Sequence, residues 1–292
     1  MNVSAESIVE ALLSIGYQIE QWSLLGSGHN SIAILANDEW VFRYPLHRVA
    51  ADSMELEVAV LRAVNGRLAV STPDPEIFVE VTGLEWRVMA YPFITGQILG
   101  VDQASELSGA TLSRLGKDLG RFLTTLHSTP VSLFGSSKIR DNDGNQRWVS
   151  FTEDVRSILK PRITSSDWNR SNRKLSKSVE KIIRFQYHSV LRHGDFGFGN
   201  FVFDDRSRLA GVIDFGTAGL GDPAVDIAAV IATNGPGDSM IDHIRPAYPL
   251  IDDLLQRACI YRDTFPLQHA LLGAKSDDEL AIKEGIDSYL ND

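Results

Sequence analysis

The chain has 292 residues, of which 43% are hydrophobic and 23% are charged, a composition typical of a soluble globular protein. Its formal net charge of -10 argues against a nucleic-acid partner and favours a cationic small molecule. The single cysteine, Cys259, excludes an intrachain disulfide. Met1 to Ile15 lacks the basic and apolar regions of a signal peptide, and no apolar run is long enough to span a membrane. We therefore expect a cytoplasmic protein with no membrane partner.

The first hundred residues predict a helix followed by a small sheet. Ser4 to Ile15 has apolar side chains at helical spacing, with Ser4 as a candidate N-cap. A second helix is predicted over Asp52 to Val64. Short apolar runs predict five strands, which cover Tyr17 to Leu25, Ser31 to Ala36, Trp40 to Tyr44, Glu76 to Val81 and Glu85 to Tyr91.

A glycine-containing loop, Gly26-Ser27-Gly28-His29-Asn30-Ser31, separates the first two predicted strands. Glycines allow backbone N–H groups to approach phosphates closely. A strand rather than a helix follows, so the loop is neither a Walker A loop nor a Rossmann fingerprint. A glycine hairpin without a ligand is one interpretation. The position before three strands favours the other, a loop that covers a nucleotide with Ser27, Gly28, Asn30 and Ser31.

The most informative stretch is Arg192-His193-Gly194-Asp195-Phe196-Gly197-Phe198-Gly199-Asn200, followed by Gly211-Val212-Ile213-Asp214-Phe215-Gly216. The apolar runs at 201–203 and 209–213 predict a hairpin, which would bring Asn200 and Asp214 together. Magnesium prefers hard oxygen ligands, so these two residues are candidate Mg²⁺ ligands. Asp195 is placed to orient an attacking hydroxyl and to accept its proton, and His193 to brace the loop. The alternative is a glycine-rich turn with incidental acids.

The rest of the chain predicts mainly helices. We interpret His127 as a helix cap and Pro223 as the first residue of a helix. The other predicted helices cover Ser105 to His127, Phe151 to Ile163 and Leu175 to Tyr187, with two or three more between Ile241 and Leu290.

The spacing of His193, Asp195, Asn200 and Asp214-Phe215-Gly216, followed by Gly221-Asp222-Pro223-Ala224-Val225-Asp226, resembles the aminoglycoside phosphotransferase family, and most of all its 2''-O-phosphotransferases. The resemblance implies an α+β, bilobal protein-kinase-like fold. A small antiparallel β-sheet N-lobe would cover residues 1–95, with a hinge at about 90–96. A larger, mainly helical C-lobe would cover residues 96–292.

The resemblance also implies roles for other residues. Arg43 stands where the family usually has a phosphate-binding lysine, with Glu57, rather than Glu55, as its partner; a solvated strand face is the alternative for Arg43. Pro92 would contact the base through its carbonyl, and Ile94 through its N–H. Asp226 would bind the backbone of the catalytic loop.

The implied reaction is transfer of the γ-phosphate of ATP or GTP, with Mg²⁺, to a hydroxyl of a small cationic molecule. An aminoglycoside antibiotic is the first expectation, which would make the protein a resistance kinase acting as a monomer. A choline, homoserine or sugar kinase and a nucleotide-binding pseudokinase are the alternatives. Substrate contacts are expected from Asp195 and Asp238, the latter after Thr233-Asn234-Gly235-Pro236-Gly237. Four more aspartates are candidates to replace a second pocket acid, Asp242, Asp252, Asp253 and Asp263.

Overall fold

The computed structural model describes residues 3–100, 103, 106–134, 141–232 and 237–291. Its first part is a five-stranded antiparallel sheet with the strand order β1-β2-β3-β5-β4. Helix α1 (Ala5–Ser14) begins after Ser4, whose hydroxyl accepts a hydrogen bond from the Ser7 N–H, as its predicted capping role requires. The strands are β1 (Trp22–Ser27), β2 (Ser31–Ala36), β3 (Trp40–Pro45), β4 (Ile77–Val79) and β5 (Val88–Pro92).

The first strand begins later than predicted, at Trp22 instead of Tyr17. The side chain of Asn37 accepts hydrogen bonds from the N–H groups of Glu20 (2.9 Å) and Gln21 (3.2 Å). These bonds hold the preceding segment outside the sheet. All six residues of β1 are exposed, whereas β2 alternates between buried and partly buried residues, as expected for a strand with one face on a core.

Helix α2 (Arg48–Val64) begins four residues before its predicted start, because the ring of His47 caps it by accepting a hydrogen bond from the Ala50 N–H. Its middle turns contribute Met54 and Val58 to a buried cluster with residues of strands β3 and β5. Its last turns are buried in the large core formed mainly by the helical part of the chain. One helix therefore packs against both parts of the molecule.

The helical part begins after β6 (Gln97–Ile98). Its first long helix, α3 (Gly109–His127), starts at the Ser108 cap rather than at Ser105, a residue outside the described ones. The other helices are α4 (Asn145–Asp154), α5 (Ser165–Ile183), α6 (Ala224–Ile231), α7 (Ser239–Ile244), α8 (Ile251–Arg262), α9 (Phe265–Lys275) and α10 (Glu279–Asn291).

Several helix predictions were wrong in extent. The helix predicted over Phe151 to Ile163 is α4, which starts at Asn145 and continues as a π-helical turn and a 3₁₀ turn. The regular α-helix ends at Asp154, and Pro161, which has no N–H to donate, lies in the 3₁₀ turn. The next helix, α5, starts ten residues before its predicted start at Leu175. The prediction missed these early turns because they bury only Trp168 and Ser171, which gives a weak apolar pattern.

The end of the chain forms four helices where two or three were predicted. Pro249 and Pro266 interrupt the pattern, and Asp277 has a positive φ of 55° between the last two helices. Pro223 is the N-cap of α6 rather than its first residue. No helix in the described ranges has both the length and the apolar character needed to cross a membrane.

The predicted hairpin is confirmed. Strand β8 (Phe201–Phe203) pairs antiparallel with β9 (Leu209–Val212), and β6 adds to its other edge. Strand β7 (Val190–Arg192), which leads into the catalytic loop, pairs antiparallel with β10 (Gly219–Gly221). Helix α6, which follows β10, is buried along its whole length. The loop from 193 to 200 is therefore supported by strands and by a buried helix.

Candidate active site

A cleft of about 1010 Å³ lies next to the glycine-containing loop. Most of the predicted nucleotide contacts line it together. They are Ser27, Gly28, Asn30, Ser31, Arg43, Glu57 and Ile94, and the predicted metal ligand Asp214 lines the same cleft. The structure therefore brings these eight residues to one surface.

The loop itself is a closed turn. The N–H of Gly28 donates to the carbonyl of Ser31 at 3.1 Å, and the N–H of Leu46 donates to the carbonyl of Asn30 at 2.9 Å. A Cβ atom added at Gly26 or Gly28 would meet nothing within 4 Å. These glycines therefore leave open space in front of the backbone, rather than avoiding a neighbour.

Arg43 and Glu57 form the predicted ion pair, with 2.6 Å between Arg43 Nη1 and Glu57 Oε1. Both side chains are largely buried, and Arg43 Nη2 lies 3.8 Å from a carboxylate oxygen of Asp214. Burial opposes the charge of Arg43. The charge and hydrogen bond of Glu57, together with the smaller effects of Tyr91 and Asp214, outweigh burial and keep the pKa of Arg43 above its usual value. Arg43 therefore stays cationic and points toward Asp214, so the solvated-face alternative is wrong.

Pro92 is the exception among the predicted nucleotide contacts. Its side chain is exposed and does not line the cleft, whereas Tyr91, Phe93 and Ile94 do. Successive side chains of a strand face opposite sides, and Pro92 is the last residue of β5. Any contact of Pro92 with a base must therefore use its carbonyl.

Asp226 holds the backbone of the catalytic loop, as predicted. Its carboxylate accepts hydrogen bonds from the N–H groups of His193 (2.9 Å) and Gly194 (2.7 Å). Gly194 has a φ of 88°, a conformation that favours glycine. Burial by itself would raise the pKa of Asp226, but hydrogen bonding and charge from His127, with smaller effects of neighbouring positive groups, lower it overall.

The helix-cap interpretation of His127 was wrong. Its Nε2 lies 3.0 Å from the Asp226 carboxylate, and its Nδ1 lies 2.7 Å from the hydroxyl of Tyr248. Because a carboxylate only accepts, Nε2 carries the proton. His127 therefore binds Asp226 with its side chain, and Ser128 is the C-cap of α3.

His193 braces the loop, as predicted. The N–H of Asp195 donates to its Nδ1 at 3.3 Å, and its Nε2 donates to the carbonyl of Ile213 at 3.0 Å. The backbone partners fix the tautomer, because an N–H can only donate and a carbonyl can only accept. Both ring nitrogens are used in this way, so His193 is not free to act as a base.

Asn200 connects Asp195 to the Asp214 segment. Its Nδ2 donates to the carboxylate of Asp195 at 3.0 Å, and its main-chain carbonyl accepts from the N–H of Ile213 at 2.9 Å. Asp214 follows directly, with a φ of 59° and a side chain that is 54% exposed. Asp195 and Asn200 are therefore in direct contact, and the backbone of Asn200 bonds the residue just before Asp214.

The residues present fit a magnesium ion. Because Nδ2 of Asn200 donates to Asp195, the amide oxygen is the atom of Asn200 that could bind a metal, and Asp214 could supply a carboxylate. Among the described residues, no group of three or more His, Cys, Asp or Glu side chains could hold a metal. Magnesium does not need such a group, since it uses one or two carboxylates together with phosphate oxygens and water.

A second cavity of about 1210 Å³ is lined by Asp195 and Asn200, which do not line the first cleft. Asp238, the predicted substrate contact, lines it with Asp195, Asp263 and Arg262. Thr233 to Pro236 lie outside the described residues. The remaining candidates, Asp242, Asp252 and Asp253, do not line the cavity, and the first two bind Arg245 instead.

Sequence reasoning missed a buried pair next to the catalytic loop, Arg192 and Asp143, with 2.6 Å between Arg192 Nε and Asp143 Oδ2. Arg192 directly precedes His193 and could have attracted notice. Asp143 is 49 residues away in the sequence, so no local pattern connects the two.

Comparisons with known proteins identify the family and the fold. A family model described as "Phosphotransferase enzyme family" matches residues 22–256. Viomycin phosphotransferase of Streptomyces vinaceus is 27% identical over 251 residues, which cover 83% of this chain and 84% of that protein.

Solved structures with the same fold include the GDP and kanamycin complex of APH(2'')-IIIa, with a TM-score of 0.86 and 23% identity over 97% of each chain. A macrolide 2'-phosphotransferase of type I has a TM-score of 0.74 and 18% identity, over 99% of this chain and 98% of that one. At these identities the structural likeness establishes the kinase-like α+β fold. The family match, which spans most of the sequence, shows that this chain belongs to the APH phosphotransferase enzyme family.

Proposed function

We propose that the chain transfers the γ-phosphate of ATP or GTP to a hydroxyl group of a small cationic molecule. The observation that carries the proposal is that the hydrogen bonds of Asn200 connect the linings of two cavities. Its amide binds Asp195 in the second cavity, while its main-chain carbonyl accepts from Ile213, next to Asp214 in the first cleft. A nucleotide in one cavity and an acceptor in the other would meet at this point.

On the acceptor side, Asp195 would orient the hydroxyl and take its proton as the new bond forms. Phosphoryl transfer depends mainly on positioning and on the neutralisation of charge, so a carboxylate held in one place is what the step needs. The hydrogen bond from Asn200 and the hold of Asp226 on the preceding backbone keep that carboxylate in place.

On the nucleotide side, Arg43 would bind phosphate oxygens, and the glycine-containing loop would cover them. Ile94 would offer its N–H to the base and Pro92 its carbonyl. Asn200 and Asp214 would hold Mg²⁺, which when bound neutralises phosphate charge.

An aminoglycoside is our first candidate for the acceptor. Among the described residues, the second cavity is lined by more acidic than basic side chains, which suits a cation. The acidic residues are Asp195, Asp238, Asp263 and Glu284, and the basic ones are Lys174 and Arg262. One solved structure with this fold is a complex with kanamycin, and another is a complex with gentamicin.

Viomycin is our second candidate for the acceptor. The sequence relative reported above is a viomycin phosphotransferase, which is matched over most of both chains.

The test is a panel of acceptors assayed with purified protein, Mg²⁺ and either ATP or GTP. The panel contains kanamycin, gentamicin, viomycin, a macrolide, choline, homoserine and neutral sugars. We expect phosphorylation of at least one polycationic acceptor. Turnover of choline, homoserine or a sugar alone would replace the antibiotic assignment with a metabolic one, and no turnover at all would contradict the proposal.

A further inference from the structure

Two consecutive side chains hold the two sides of the Asp214 segment. His193 Nε2 donates to the carbonyl of Ile213 at 3.0 Å, one residue before Asp214. Arg192 Nη1 donates to the carbonyl of Thr217 at 3.2 Å, three residues after Asp214. The backbone on either side of Asp214 is therefore attached to the last residue of β7 and the first residue of the catalytic loop.

The guanidinium of Arg192 is itself fixed by Asp143. Arg192 Nε donates to Asp143 Oδ2 at 2.6 Å, and Arg192 Nη2 donates to Asp143 Oδ1 at 2.9 Å. The side chains are only 3% and 1% exposed. Asp143 also accepts from the N–H of Asp222 at 3.1 Å and from Arg147 at 3.3 Å, so both of its oxygens are occupied.

Neighbouring glycines make room for this pair. A Cβ at Gly194 would overlap the guanidinium of Arg192, and a Cβ at Gly221 would overlap the carboxylate of Asp143. The guanidinium therefore lies directly against the peptide that leads to Asp195.

Thr217 adds a second connection between the same segments. Its hydroxyl donates to the carbonyl of His193 at 3.0 Å, while its own carbonyl accepts from Arg192. The catalytic loop and the Asp214 segment are thus joined in both directions beside Thr217.

Stability alone is a weak explanation for such a pair. Removing two charges from water is costly, and well-packed apolar residues of similar volume often stabilise a protein equally well or better. A planar, bidentate guanidinium does fix the relative orientation of its partners, because its N–H donors point in directions set by the rigid plane. Arg192 uses that geometry to reach Asp143 and Thr217 together.

We propose that Arg192, oriented by Asp143, is a positioning residue that sets the location of Asp214 relative to Asp195. The inference rests on the proposed function, in which Asp195 receives the proton and Asp214 holds Mg²⁺. Loss of the Arg192 contact would let the Asp214 segment shift while leaving both carboxylates present. The consequence would be weaker use of Mg²⁺ and slower transfer.

The test compares two double variants. The first, Arg192→Met with Asp143→Asn, removes the charges together and avoids leaving one buried charge unpaired. The control, Arg257→Met with Asp222→Asn, removes a similar bidentate pair, with Arg257 Nε 2.8 Å from Asp222 Oδ2. Within the described part of the chain, neither side chain of this control pair forms a hydrogen bond with the backbone of residues 213–217.

We expect the first double variant to lower kcat about 10- to 100-fold, because small misplacements of reacting groups have effects of that size. It should also raise the Mg²⁺ concentration needed for half-maximal binding of a fluorescent nucleotide and for half-maximal rate, while the KM for acceptor stays within about threefold. The control should lose similar thermal stability and keep both the kcat and the Mg²⁺ requirement of the parent protein.

Equal effects in both double variants, or an unchanged kcat and Mg²⁺ requirement in the folded first variant, would overturn the inference. If the first variant does not fold, Arg192→Lys replaces it, because a lysine keeps the charge but cannot reach both partners. The same losses are then expected in Arg192→Lys, and their absence overturns the inference. Failure of the proposed function gives a different result, because the parent protein itself would then turn over no acceptor of the panel.

Discussion

The Asp226 carboxylate accepts a hydrogen bond of 2.7 Å from the N–H of Gly194, the residue just before Asp195. The same carboxylate accepts from the N–H of His193 and binds His127, and it is fully buried. One buried acid therefore holds the loop from which the proposed proton acceptor projects.

Replacing that acid by its amide should affect both stability and turnover. In Asp226→Asn, the new NH₂ group would face N–H donors, so we expect a loss of about 3 kcal/mol in the free energy of unfolding. We also expect a fall in kcat of about tenfold or more, since Asp195 loses its support. Urea unfolding and steady-state kinetics measure the two effects. Asp252→Asn, at an exposed site, is the control and should change neither.

The lowered pKa of Asp226 predicts the direction of acid destabilisation. A carboxyl whose pKa is lower in the folded state adds stability above its unfolded pKa of about 3.9 and loses it as pH falls through the folded value. We expect the parent protein to lose this contribution below about pH 4. Unfolding measured from pH 7 to pH 3 should show a shallower loss in Asp226→Asn than in the parent. Parallel curves would count against the assignment.

Arg43 tests whether the departure from lysine matters for nucleotide binding. Arg43→Met leaves Glu57 buried without its 2.6 Å partner, so we expect a less stable protein and a KM for the nucleotide raised about tenfold or more. Arg43→Lys keeps the charge and should stay within about threefold of the parent. A fluorescent nucleotide titration checks both variants. Equal affinity in Arg43→Met and the parent would show that the phosphates lie elsewhere.

Arg262 should oppose the binding of cationic acceptors. Its guanidinium lies 3.3 Å from the carboxylate of Asp263 and 4.0 Å from that of Asp238, and all three side chains line the second cavity. Arg262→Gln frees both acids, so we expect the KM for a polycationic acceptor to fall about three- to tenfold at low salt. The gain should shrink as salt increases, because these charges are partly exposed.

The matched control for Arg262→Gln is Arg245→Gln, which affects acids outside the cavity. That variant should leave the KM for acceptor unchanged. A higher KM in Arg262→Gln would mean that Arg262 contacts the acceptor directly and would contradict the expectation.

A local pattern was enough to predict the hairpin after the catalytic loop, because two short apolar runs flank a polar turn. The choice of Glu57 over Glu55 as the partner of Arg43 came instead from the family resemblance, and the ion pair confirms it. The roles of Asp143 and His127 could not be predicted in this way. Each of them contacts its partner, Arg192 or Asp226, across 49 or 99 residues, and only the packing of the helices brings them together.

The predicted helix boundaries were wrong for a related reason. The start of α5 carries mostly polar side chains, and only its packing against the core makes Trp168 and Ser171 buried. The second cavity is likewise lined by residues from several helices near the end of the chain. Its net charge could therefore not be predicted from any one segment of the sequence.

The most direct test of the central claim compares Asp195→Asn with Asp214→Asn, using the best acceptor of the panel. We predict that Asp195→Asn lowers kcat by about 10²- to 10⁴-fold, the usual range for general acid–base catalysis, with the Kd for Mg²⁺–nucleotide unchanged. Asp214→Asn should instead weaken Mg²⁺-dependent nucleotide binding. Turnover of Asp195→Asn at the rate of the parent protein would contradict the account.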